Sequence, residues 1–71
     1  MSTEEKMELI KLLTEMHGLV VINKLEGKNN NEMLEKCKKA AERLQSEGIG
    51  VFDFSSDEKF EESLSDFLKV K

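Results

Sequence analysis

Cys37 is the only cysteine of the 71-residue chain and His17 its only histidine. That bounds the chemistry from the start. Lys36, Lys38 and Lys39 surround Cys37, and nearby cations favour the thiolate, the form that attacks a disulfide. Against this, Cys37 shares a stripe at helical spacing with Leu34, Ala40, Ala41 and Leu44. A cysteine on such a stripe packs as a small hydrophobe. It also sits more than a turn inside the helix expected there, where the dipole no longer helps an anion. Thiol exchange by a lone cysteine would need glutathione or another protein to supply the second thiol. One Cys cannot close an internal disulfide, and one Cys with one His cannot build an ordinary four-ligand structural zinc site.

The remaining polar residues point to surface. His17 has no carboxylate-plus-nucleophile arrangement around it and reads as a solvent-exposed imidazole at a helix end. Asp57, Glu58, Glu61, Glu62 and Asp66 read as the solvated face of a helix, and Asp53 does not turn them into a calcium loop. Carboxylate catalysis would need one acid buried and raised in pKa, which a surface helix rarely provides. The stretch Lys28–Asn31 precedes a helix and could hold an anion on backbone donors, but Gly27-Lys28 lacks the spacing of a P-loop. Net charge is −4, which argues against nucleic-acid binding, a task for a basic face. No apolar run approaches a membrane span and no signal-peptide pattern opens the chain, so a cytoplasmic protein off the membrane is expected. Hydrophobic content of 38% in ordered blocks points to a folded chain rather than disorder. A single domain over residues 1–71 follows from the length and the lack of a linker.

The elements that must position these residues alternate. Ser2 with Glu5 forms a capping box at the start of a helix expected from Thr3 to His17. Met7, Leu9, Ile10, Leu12, Leu13 and Met16 give it a broad apolar stripe, and Gly18 stands where a left-handed cap would end it. Leu19-Val20-Val21-Ile22 is apolar throughout and β-branched, the signature of a strand covered on both faces. After a polar loop, a second helix is expected from Glu32 to Glu47, with one of Asn29, Asn30 or Asn31 as N-cap. Gly48 ends that helix. Residues 49–54 (Ile49 through Phe54) read as a second strand, and Ser55 with Glu58 as a further capping box. A third helix over Asp57–Leu68 is buried through Phe60, Leu64, Phe67 and Leu68. The expected fold class is α/β, an α-β-α-β-α order with a small parallel sheet built on a right-handed βαβ unit.

In that order and spacing the chain resembles the N-terminal part of a glutaredoxin of the monothiol type, in the thioredoxin-like superfamily. The residues that carry the resemblance are Leu19-Val20-Val21-Ile22-Asn23-Lys24, where the family has an apolar strand ending in Lys, and the helix end Arg43-Leu44-Gln45-Ser46-Glu47-Gly48. The segment Val51-Phe52-Asp53-Phe54-Ser55-Ser56-Asp57-Glu58 matches a Phe-Asp-x-x-x-Asp-Glu pattern of that family. By resemblance, Lys24 would contact the carboxylate of glutathione. Two departures remove the family's chemistry. The position of its active-site Cys falls on Leu34, with Cys37 at the fourth place of the motif, and the chain stops before the cis-Pro segment and later strands that complete the glutathione site.

The functional expectation is therefore a non-catalytic interaction or regulatory module, a glutaredoxin-like fragment without its chemistry or cofactor. The alternative is a thiol redox protein working through Cys37, by glutathionylation or an intersubunit disulfide. A two-stranded sheet leaves open edges, so a protein partner or self-association is expected, through strand addition or apolar helix faces.

Overall fold

Among residues 2–69, which the computed structural model describes, the regular structure is three helices: α1 (Thr3–Leu25), α2 (Asn31–Ser46) and α3 (Asp57–Leu68). No strand occurs among the described residues. The expected α/β class, the parallel sheet and the thioredoxin-like fold that came with them are thus overturned, and with no sheet there are no strand edges to extend.

The largest correction lies in α1. Its start follows the capping box: the Glu5 amide donates to the Ser2 hydroxyl, and the Glu5 carboxylate accepts from the Ser2 amide. Instead of stopping at His17 the helix runs on through Leu19-Val20-Val21-Ile22 to Leu25. Gly18 is not in the left-handed region, where Gly27, Gly48 and Gly50 are found. It is an interior helical residue. Nothing in the run forbids a helix, since β-branched residues and one glycine each cost only about 0.5–1 kcal/mol against alanine. The inward face also continues across it, because Leu9, Leu13, Met16, Val20 and Asn23 succeed one another at three or four residues. Leu13 and Val20 are fully buried, while Leu19, Val21 and Ile22 point outward. The run is covered on one side only. Met7 and Leu12, expected on the inner stripe, are also exposed. The stop comes at Gly27 (φ 72), with the Lys28 amide donating to the Asn23 carbonyl at 2.8 Å.

The helices α2 and α3 follow the pattern of their apolar residues. Leu34, Cys37, Ala40, Ala41 and Leu44 are buried along α2, and Phe60 and Leu64 along α3. The N-cap of α3 is Ser56, whose hydroxyl accepts from the Lys59 amide, one residue later than the capping box expected at Ser55. The second expected strand is an irregular segment laid over the core. Two of its amides find side-chain acceptors: Phe52 donates to the Gln45 side chain at 2.8 Å and Asp53 to the Ser63 hydroxyl at 3.1 Å. Phe52 is buried among rings, with centroids 5.1 Å from Phe67 and 6.3 Å from Phe60. Gly50 (φ 78) lies so close that a Cβ there would stand 2.7 Å from the Phe67 ring.

Asn30 ties α1 to the start of α2. It is the one buried polar residue among those described, at 8% exposure. Its amide nitrogen donates to the Val20 carbonyl and its oxygen accepts from Asn23, at 3.1 and 3.0 Å. One of Asn29, Asn30 or Asn31 was expected as the N-cap of α2, and Asn30 is that residue; its side chain reaches across to α1, while the Asn29 side chain accepts from the Asn31 amide at 2.7 Å.

Candidate functional site

The residues singled out for chemistry do not meet. Cys37 is fully buried in the apolar seam of α2, and burial pushes its thiol pKa up from the ordinary value. Of its lysine neighbours, Lys38 is engaged elsewhere, donating to Asp57 of α3 at 2.6 Å. Its ammonium lies 6.0 Å from the centre of the Phe60 ring. Nothing here favours a thiolate.

Lys24 stands in the last turn of α1, not at the end of a strand. It pairs with Glu61 of α3 at 2.8 Å, and the bond to Glu61 raises its pKa. His17 was expected at a helix terminus but is half-buried within α1. Two of the five acids on α3 are therefore used to bind α3 to its neighbours. Asp57 holds Lys38, Glu61 holds Lys24, and Glu58, Glu62 and Asp66 are exposed. Among the described residues no group of three or more His, Cys, Asp or Glu is placed to hold a metal ion.

Two shallow depressions open on the surface. One, of about 230 Å³, is lined by Glu5, Glu8, Leu9, Leu12 and Arg43, and the other, of about 410 Å³, by Asn29, Asn31 and Glu32. Hydrogen bonds from Ser2 hold the Glu5 carboxyl below its usual pKa. The first depression holds two carboxylates and one guanidinium, with Arg43 3.9 Å from Glu5. Neither brings together a nucleophile and a base.

What the fold does assemble is an apolar face on α1. At 100° per residue, Gly18, Leu19, Ile22 and Leu25 fall within an arc of about 120°, opposite Leu13 and Val20, and the same arc nearer the N-terminus carries Lys11 and Glu15 beside Leu12. Exposure is 40% for Leu12, 50% for Leu19, 51% for Ile22 and 84% for Leu25, with Val21 at the margin. From Gly18 to Leu25 this face carries no charge: the only ionisable residue in that stretch, Lys24, is turned toward α3. The face was missed from the sequence because its residues were assigned to a buried strand. The signal that finds it is the helical period itself, which cannot send Leu19, Val20, Val21 and Ile22 all to one side. No family model, curated protein or solved structure matches the chain. Among the described residues, no helix is long and apolar enough to cross a membrane.

Proposed function

We propose that the protein is a non-catalytic interaction module that docks through the outer face of α1. One observation carries this reading: a regular helix shows an uncharged row of Leu19, Ile22 and Leu25 to solvent on the side away from the buried Leu13 and Val20. Scattered exposed apolar residues are ordinary, but a contiguous row on one rigid element is the usual mark of a binding surface. The buried thiol and the absence of a converging polar cluster among the described residues lend no support to chemistry at Cys37. The resemblance to glutaredoxins contributes nothing to this reading, since its two expected strands are a stretch of α1 and an irregular segment.

The test is made in extracts of the cells that produce the protein. The wild-type chain should elute above the size of its monomer on gel filtration, and the Leu19→Lys/Ile22→Lys variant, whose changes are confined to the exposed face, should elute at it. If both elute at the monomer position, the proposal is wrong.

A further inference from the structure

The molecule divides into two parts, each tied together from within. The first is the hairpin of α1 and α2. Asn30 at the head of α2 bonds to Val20 and Asn23, Arg43 approaches Glu5 near the other end, and these helices run together along more of their length than either runs with α3. The second part follows Gly48. All four aromatic residues of the chain lie in it, and their rings meet one another. Phe54 stacks on Phe60 at 5.5 Å, and Phe52 lies 5.1 Å from Phe67. Gly50 is fitted against the Phe67 ring, and the Asp53 amide donates to the Ser63 hydroxyl. The irregular segment is thus folded back onto α3, from its first turn to its last.

Where the two parts meet, the seat is apolar with charges at its edges. Lys24 marks the side of α1 that faces α3, and Lys38 that of α2. At 100° per residue, Leu13, His17 and Val20 share the first side, and Leu34 and Ala41 the second. Phe60 and Leu64 are fully buried in the core these residues form. The edges are Lys24–Glu61 at 2.8 Å and Lys38–Asp57 at 2.6 Å, each with one partner more than half exposed. Such pairs hold weakly. A segment cohesive in itself and lightly tied to its neighbour opens as one cooperative unit, ahead of the whole chain. Off the hairpin a helix of 12 residues is too short to persist, so its release and its unfolding are one event. We propose that residues 49–68 are a strap that peels off the hairpin as a unit beyond Gly48, uncovering the apolar seat of Phe60 and Leu64 while α1 and α2 stay folded. That seat is a surface of the open state alone. It lies across α1 from Leu19 and Ile22, so the strap and the outer face stand or fall separately.

Residue-resolved amide hydrogen exchange on the purified full-length protein, corrected for intrinsic rates, tests this. The Phe52 amide, whose acceptor Gln45 is on α2, and the amides from Glu61 to Leu68 should exchange through one shared opening, at least about tenfold faster than the slowest amides of α1 and α2. The decisive variant is Phe54→Leu, at a half-buried ring that touches Phe52 and Phe60. It should speed exchange along the whole of α3 by a common factor of about 3–10 and leave the slowest amides of α1 and α2 less affected than those of α3. Exchange of α3 as slow as that of α1 and α2 overturns the strap. So does exchange that rises steadily toward Leu68 with the Phe52 amide out of step, the pattern of a fraying end. A Phe54→Leu effect equal in all three helices overturns it as well.

Discussion

Gly18→Ala separates a continuous α1 from a helix that stops at His17, because the two structures demand opposite signs. In α1 the residue is helical and its Cβ would enter open space. Alanine should then stabilise the monomer by about 1 kcal/mol through helix propensity alone. For a domain of this size that raises Tm by roughly 4–8 °C. Were Gly18 a left-handed cap before a strand, the same change would cost about 1–2 kcal/mol. The gap of about 2–3 kcal/mol is a large part of the roughly 4–10 kcal/mol expected for the whole domain. Gly48→Ala is the control: its φ is 79° and its surroundings are also open, so that variant should lose about 1–2 kcal/mol. Urea unfolding followed by circular dichroism, at a concentration where the chain is monomeric, reads both. A Gly18→Ala protein less stable than wild type would refute the continuous helix.

Three other expectations follow from the geometry. Gly50→Ala combines a left-handed backbone with a Cβ 2.7 Å from the Phe67 ring, and urea unfolding should show a loss of about 2–4 kcal/mol, more than for Gly48→Ala. Asn30→Ala leaves the buried Val20 carbonyl without its side-chain donor and Asn23 without its acceptor, which should cost about 1–3 kcal/mol, with faster hydrogen exchange at the start of α2. Cys37 is held protonated by burial, so the folded chain binds that proton more tightly than the unfolded one. Its contribution to stability is complete below the ordinary thiol pKa and is lost as pH rises from there through the folded value. The stability difference between wild type and Cys37→Ala should therefore shrink between pH 7 and about pH 10, and a difference constant across that range would contradict the buried thiol.

Much of the chain was legible before any fold was known. The span of α2 agrees within a residue at each end, and α3 starts and stops as its pattern predicts. Leu34, Cys37, Ala40, Ala41, Leu44, Phe60 and Leu64 are buried as their spacing requires, and the Ser2–Glu5 capping box is present. These features share a physical basis. A helix is held by hydrogen bonds between residues four apart, so an amphipathic pattern with local start and stop signals specifies it without help from distant residues.

The segments at 19–22 and 49–54 were not legible in this way, and the candidate site lay in the first of them. A strand is defined by what it pairs with, and neither run can announce whether a partner exists. Two short apolar runs with a helix between them satisfied the pattern of a βαβ unit equally well. In the folded chain, Val20 fills the seam below Asn30 while Leu19 and Ile22 turn outward, and Phe52 is drawn into the rings of Phe60 and Phe67. The sequence by itself determined the local amphipathic helices, their caps and most of the residues they bury. Only the tertiary structure decided that Leu19-Val20-Val21-Ile22 extends α1, and hence that the chain shows an apolar helical face rather than a sheet edge. That choice depends on non-local pairing, which competes against local helical hydrogen bonds and is settled by the packing of the whole.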